Sequence, residues 1–405
     1  MMTTYKKLQS DPYSRALFSN RITTMQGLKN ALEDSSSTLI SLDTEHFAVT
    51  GERDRILHQV GLAYLKIVLP DKLTPQEPLI SSRPCLQEFY IKNEVQALTL
   101  NIELRTEEQD YVISQRGRAP LRRPHRFGLE QRVDIQDVEE AIINFIDNVS
   151  STHTRLILTG FEMAAEWAYL SQYFPKIIPY FSLWVDIRDI AKDITSAGVI
   201  PGLTSLLQIC GYHWKDIKSR SQGKSPPGAA DNAGDDAIST LAAAHALLDS
   251  RIQEKLRFRQ KCSQIARIHT TKKGNQSDIQ HHLLPFTATI QSSHGSTLPP
   301  AIDSGMKLAR RFFDFDPSSA GILSRQMAYI AFGNTNQLDQ FIKQVDGIKL
   351  SPDVILSVRP LQNHTQKSLT VEAEKLGKQE SREKKRLETS EDGLEDLDGL
   401  FGSPA

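Results

Sequence analysis

The sequence predicts an α/β chain: a mixed sheet with helices on both faces, followed by a small α+β domain. Three observations carry this. Three strand-like apolar runs come early, before the first long amphipathic helix. Further short apolar runs then alternate with helical patterns, and after a polar, aperiodic stretch at 270–283 a second, shorter alternation begins. Successive strands imply antiparallel hairpins and strands separated by helices imply parallel crossovers, so the first sheet has to contain both.

Taken in order, "TLISLD" (38–43) reads as a short buried strand ending on an acid. "RILHQVGLAYLKIV" (55–68) and "QALTLNIELR" (96–105) read as two more, rich in Val, Ile and Leu. Residues 106–134 are basic and contain Pro and Gly, which predicts a long surface loop. In "VDIQDVEEAIINFIDNV" (133–149) the apolar residues recur at helical spacing. "RLILTG" (155–160) is a fourth strand, ending on a glycine before the helix "FEMAAEWAYLSQYF", and "FSLWVDI" (181–187) is a fifth. "LTSLLQICGY" and "DDAISTLAAAHALLDSRI" are helices that close this half. Beyond the polar stretch come "PFTATI" (285–290), the helix "LPPAIDSGMKLARRFF", the strands "SAGIL" and "RQMAYIAFGN", the helix "TNQLDQFIKQV" and the strand "VILSVRP" (354–360). That β-α-β-β-α-β order is the ferredoxin-like split motif. The expected divisions are an N-terminal extension (1–35), a first domain (36–250), a basic helix and linker (251–283), the small domain (284–361) and a charged, partly helical or disordered tail (362–405).

Composition narrows the function classes. A chain of 405 residues with 39% hydrophobic residues has material for two cores. No apolar run reaches the roughly 18 residues of a membrane span, and the first twenty residues lack the continuous apolar core of a secretory signal. Cys85, Cys210 and Cys262 stand far apart with no C-x-x-C, which speaks against a disulfide framework or a zinc knuckle. The expectation is a reducing compartment, cytoplasm or nucleus, and no membrane partner. Net charge is −1, yet it is unevenly spread. "RGRAPLRRPHR" holds five arginines (Arg116, Arg118, Arg122, Arg123, Arg126) and no acid, and "RIQEKLRFRQKCSQIARIHTTKK" (251–273) is again basic. Such stretches suit a phosphate-binding face, and equally a solvated surface.

The acids point to hydrolytic chemistry. Asp43 and Glu45 in "LDTEHF" are two residues apart, so on a strand both carboxylates share one face. Like charges held together repel unless a cation lies between them, and hard divalent ions take oxygen ligands of this kind. Alone, a D-x-E at a strand end is more often a solvated turn. In "DNAGDDAISTLAAAHALL" (231–248), Asp235 and Asp236 precede a helical run, where acids favour the N-cap and the first turn. Asp235 is expected only to cap the helix.

A D-x-E on the first strand, two more strands, "GFEMAAEWAYL", the intervening "WVDIRDIA" and then "DNAGDDA" form a series that resembles the DEDD exonucleases of the ribonuclease-H-like superfamily over residues 36–250. "HRFGLEQRV" followed by an amphipathic helix is similar to a fungal branch of it, the "good for full DEAD-box activity" family. The resemblance implies a ribonuclease-H-like mixed sheet and a Mg²⁺ or Mn²⁺ site made by Asp43, Glu45, Glu166 and Asp236, with Glu162 a lesser candidate. It places Asp231 where the family keeps a histidine general base. Two departures fall on the chemistry. Glu166 stands for the family's aspartate, an arm longer by about one C–C bond, ~1.5 Å. A free carboxylate at 231 is a weaker base near neutrality than an imidazole. The implied function is nucleic-acid binding, RNA ahead of DNA, with hydrolysis weak or lost. The alternatives are an active metal-dependent 3′–5′ exonuclease on single-stranded RNA or DNA, and a protein-interaction scaffold in mRNA metabolism, with mRNA-processing or export proteins as partners.

In the second half, "RQMAYIAF" (325–332) resembles the longer consensus of an RNA-recognition motif at six of eight positions, with Gln326 for the glycine and Met327 for the first stacking aromatic. Strand alternation predicts Arg325, Met327 and Tyr329 on the open sheet face, with Tyr329 and Phe286 as base-stacking platforms. A protein-contact role for the same domain is the alternative, with Met327 as an adaptable apolar contact.

Overall fold

The computed structural model describes residues 20–33, 37–48, 55–66, 84–117, 121–150, 155–195, 200–213, 231–267, 286–292, 297–351 and 354–361. The expected linker at 270–283 and the tail from 362 lie outside the described residues. The chain divides into two compact units, and the boundary at 256/257 falls inside a helix, Ser250–Arg267.

The first unit is α/β, as the sequence predicts. Its sheet contains β1 (Arg21–Ile22), β2 (Ser37–Ala48), β3 (Arg55–Leu65), β4 (Gln96–Ile102), β5 (Leu129–Val133), β6 (Arg155–Gly160) and β7 (Phe181–Asp186), in the order β1-β7-β6-β2-β3-β4-β5. β2–β3 and β3–β4 are antiparallel; β2–β6, β6–β7, β1–β7 and β4–β5 are parallel. β2 and β3 follow one another directly and pair antiparallel, and β3–β4 is antiparallel although α2 (Leu86–Lys92) lies between them.

Helices cover both faces. On one lie α1 (Met25–Glu33), α2 (Leu86–Lys92), α6 (Ile187–Thr195), α7 (Leu203–Ile209) and α8 (Ala233–Leu247), sharing a core with Leu39, Ile157 and Val185. On the other, α4 (Val138–Val149) and α5 (Ala164–Tyr173) pack against Ile40, Leu42, Leu62 and Trp184. Leu39 and Ile40 thus point to opposite faces. By the same alternation Ser41 and Asp43 look toward α8.

Four expectations are corrected here. The first strand does not end on Asp43 but continues to Ala48, with a bulge between Glu45 and His46. The expected extension contributes β1, paired with β7, and α1, which buries Met25, Leu28 and Leu32. The expected loop at 106–134 contains α3 (Thr106–Arg116) and β5. α3 buries Val112 in a small cluster with Phe47 and Leu104, and four of the five β5 residues are exposed. β5 is held by its backbone on β4, so side-chain pattern carries no sign of it. α2 and α6 also lie where no element was expected.

The second unit is a five-stranded antiparallel sheet with the order β11-β12-β8-β10-β9. Its elements are β8 (Phe286–Ser292), α10 (Gly305–Arg311), β9 (Ser319–Ser324), β10 (Met327–Phe332), α11 (Thr335–Val345), β11 (Lys349–Ser351) and β12 (Val354–Pro360), with α9 (Ser250–Arg267) leading into it. Without the short β11 this is the expected β-α-β-β-α-β order. Ile290, Ile330, Phe332, Phe341 and Val358 form its core. Among the described residues of the chain, no helix is long and apolar enough to cross a membrane.

Candidate metal centre

The acids of β2 and α8 meet through a close backbone approach. Gly61 on β3 pairs with Asp43, and a Cβ built on Gly61 would lie 2.0 Å from the carbonyl of Ala233. Only a residue without a side chain lets the first turn of α8 settle onto the sheet there. Asn232 caps that turn: its Oδ1 accepts from the Gly234 and Asp235 amides at 3.0 and 3.2 Å and from the Thr99 hydroxyl at 3.0 Å. The cap is therefore Asn232 and not Asp235 as expected; Asp235 instead accepts from the Arg126 amide and Nε, each at 3.0 Å.

With α8 seated, one carboxylate oxygen from each of Asp43, Glu45 and Asp236 lies within 4.8 Å of the others. These three acids could hold a metal ion. Glu166, in the first turn of α5, lies outside that 4.8 Å group but near enough to repel Asp43. It is 6% exposed, and its Oε1 accepts from the Thr44 hydroxyl at 3.3 Å. Asp186 sets that turn in place. Buried at the end of β7, it accepts the amides of Glu162, Met163 and Arg188 at 3.0, 3.1 and 2.9 Å.

The electrostatics describe a site short of positive charge. Burial first, then repulsion from Asp236, Glu166, Glu45 and Asp231, raises Asp43 well above the usual carboxylate range. Burial, then Asp236 and Asp231, pushes Glu45 to about 8. Burial raises Glu166 to about 8, with Asp186 adding repulsion and Thr44 opposing it. Burial, then Asp231 and Asp235, raises Asp236 to about 7, against Arg126 and Arg123. Two buried oxygens, Asp43 Oδ2 and Glu166 Oε2, have no hydrogen-bond partner among the described residues. Buried polar atoms are normally paired, and a hard cation is the partner that would satisfy carboxylate oxygens and remove their mutual repulsion.

Asp231 stands apart from the three converging oxygens. Its exposed carboxylate is ion-paired to Arg123. The basic stretch is placed accordingly. The Arg122 guanidinium donates to the Ile102 carbonyl, and Arg126 lies 4.6 Å over the Phe127 ring while holding Asp235. Arg122 and Arg126 are thus spent on the protein itself rather than spread as an open phosphate-binding face. Arg118 lies outside the described residues, as does the side chain of Arg116. Glu162 points away: its backbone is left-handed (φ 62°) and its side chain pairs with Arg188 at 2.8 Å. Trp167 is core, as expected.

The aromatic platforms of the small domain are not presented. Tyr329 is fully buried, packed so tightly on β9 that a Cβ on Gly321 would fall 2.5 Å from its ring. Phe286 pairs directly across from Phe332, and directly opposed residues share a face. Phe332 packs on Phe341 of α11, so Phe286 is on the core side. Arg325 sits in the turn between β9 and β10, not on the strand.

The sequence reading missed Asp186, Thr44, Asn232, Gly61 and His125. "WVDI" placed an acid at a strand end, which was a usable sign for Asp186. His125 is buried against α8, its Nδ1 3.3 Å from the Leu129 carbonyl and its Nε2 3.6 Å from Asp235; burial lowers its pKa. A cleft of about 600 Å³ between β4, β5 and α4 is lined by none of the site carboxylates. No family model matches the sequence, and no curated protein matches it.

Proposed function

We propose that this chain binds nucleic acid, RNA ahead of DNA, at a divalent-metal centre of DEDD-exonuclease type, with phosphodiester hydrolysis weak or lost. The observation that carries the reading is the convergence of Asp43, Glu45 and Asp236 within 4.8 Å, beside Glu166 with a buried, unpartnered oxygen. Three converging acids from β2 and α8, with Glu166 of α5 near enough to repel Asp43, suit a cation that engages phosphodiesters.

Asp43, Glu45, Asp236 and Glu166 would hold Mg²⁺ or Mn²⁺. When bound, such ions neutralise a phosphodiester's charge and stabilise the attacking and leaving oxygens. The remaining work falls to the chain. Thr44 orients Glu166, Asn232 seats Asp236 by capping α8, and Asp186 holds the α5 turn. Among the described residues, none is set to act as a base. Asp231 is tied to Arg123, and His125 is turned into the interface with Asp235, so neither is poised to take a proton from an attacking water. This favours binding over cleavage.

The test incubates the full-length protein with end-labelled single-stranded RNA, with and without Mg²⁺ or Mn²⁺, beside Asp43→Ala. Metal-dependent binding with little or no trimming, lost in the variant, is the expected result. Metal-dependent trimming abolished by the variant makes the protein an active 3′–5′ exonuclease. Neither binding nor trimming leaves the protein-interaction scaffold.

A further inference from the structure

We infer that Arg123 is the phosphate-positioning residue of this site and that Asp231 is its displaceable counter-ion, exchanged for a backbone phosphate of a single-stranded nucleic acid when one enters. The inference rests on the reading above for the ligand class, and on the geometry around Arg123 for the residue.

The backbone at Arg123 is fixed. Its carbonyl accepts from Asn232 Nδ2 at 2.9 Å, its neighbour Arg122 is tied to Ile102, and the His125 amide donates to Glu130 at 2.5 Å. Asn232 is the same residue that caps α8, so one side chain couples the position of Arg123 to that of Asp236. The guanidinium holds Asp231, the residue immediately before the Asn232 that caps α8.

Its present partner is a poor one. The Asp231 side chain is 62% exposed, and the pair uses Nη1 alone, while Arg123 Nε is buried without a partner among the described residues. An exposed ion pair changes an equilibrium by at most about fivefold. A charge-assisted, two-pronged contact from guanidinium to phosphate is worth about tenfold to a hundredfold. A phosphate therefore outcompetes Asp231, whose carboxylate solvent already reaches. Of the arginines in the basic stretch whose side chains are described, Arg122 and Arg126 have buried or multiple partners, whereas Arg123 alone has one that solvent already reaches. The same pairing gives the position where the resembled family keeps a histidine a different use here: Asp231 guards a cation until a phosphate arrives.

The test measures binding of a short fluorescent single-stranded RNA to the full-length protein by anisotropy, with Ca²⁺ present and across a salt series. Arg123→Ala is expected to weaken binding about tenfold or more and to reduce the salt slope by about 0.7, one phosphate contact on a single strand. Arg123→Lys is expected to keep the slope while losing part of the affinity. Asp231→Ala is expected to tighten binding severalfold, and the double variant to match Arg123→Ala. Unchanged affinity in Asp231→Ala, an unchanged slope in Arg123→Ala, or a wild-type protein that does not bind the RNA would overturn the inference. A fall in melting temperature with unchanged affinity would do so as well, since it assigns the pair a structural role. Mn²⁺ titration by electron paramagnetic resonance, run on the wild type and Asp43→Ala, reports on the metal centre separately. Loss of that centre with the Arg123 and Asp231 effects intact removes the metal reading and leaves this one standing.

Discussion

Gly61 and Ala233 are in direct backbone contact: a methyl group placed on Gly61 would lie 2.0 Å from the Ala233 carbonyl, opposite Asp43 on the neighbouring strand. That single approach sets the distance between the acids of β2 and the first turn of α8. Gly61→Ala must push the helix off the sheet. Overpacking of this kind costs about 1–3 kcal/mol or more. Urea unfolding should show that loss, and Mn²⁺ affinity should fall with it, although no ligand has been changed.

Neutralising one member of the cluster should have opposite effects on stability and on metal binding. Asp43→Asn removes a buried carboxyl whose ionisation is opposed by burial and by repulsion from Asp236, Glu166 and Glu45. The metal-free variant should melt a few degrees higher than the wild type at neutral pH, since about 1 kcal/mol corresponds to several degrees in a domain of ordinary size. Added Mn²⁺ should then no longer raise the melting temperature. Equal melting curves for the two metal-free proteins would contradict the repulsion.

The cluster also fixes a pH dependence. Glu45 and Glu166 are raised to about 8 and Asp236 to about 7, from unfolded values near 4. A raised carboxyl binds its proton more tightly when folded, so its contribution is full below the unfolded pKa and is lost as pH rises through the folded one. The metal-free protein should therefore lose stability between about pH 5 and about pH 8. A divalent ion, which takes the deprotonated form, should flatten that fall and release protons on binding. Calorimetry in two buffers of different ionisation enthalpy counts them.

Asp186 accepts three backbone amides and anchors the turn that carries Glu166. Asp186→Ala leaves those donors buried and should cost about 2–3 kcal/mol. Metal affinity should drop as well, because Glu166 loses its fixed helix start. Thermal unfolding and Mn²⁺ titration on the same preparation test both.

In the small domain Tyr329 is a core residue, 0% exposed. Tyr329→Ala should destabilise that unit by about 3 kcal/mol or more, as large-to-small core changes do. RNA binding measured below the melting transition should be unchanged. A selective loss of RNA affinity with stability intact would restore the platform.

Much of the α/β layout was legible. β6, β7, α5 and α8 follow directly from apolar runs and helical spacing, and the D-x-E at 43–45 announced its shared face. Elements held by backbone or by few side chains were not: β1 is two residues long, β5 is exposed at four of its five positions, and α3 adds Val112 to the core. Alternation placed Tyr329 opposite the core-facing Ile330 and Phe332, but alternation states only which face a side chain is on. Whether that face is open depends on what covers it, and Tyr329 is buried.

The sequence by itself determined which residues are acidic, which apolar, and on which face of a strand or helix each must lie, because those follow from local periodicity. It marked Asp43, Glu45, Glu166 and Asp236 as the candidate acids. Only the tertiary structure decided that Asp43, Glu45 and Asp236 converge, that Asn232 rather than Asp235 caps α8, and that Arg123 and Asp231 hold each other. Those outcomes depend on contacts between residues over 100 positions apart, such as Arg123 and Asp231, Thr99 and Asn232, or Thr44 and Glu166. Charge repulsion and hydrogen bonding act through space, and the distance along the chain carries no record of them.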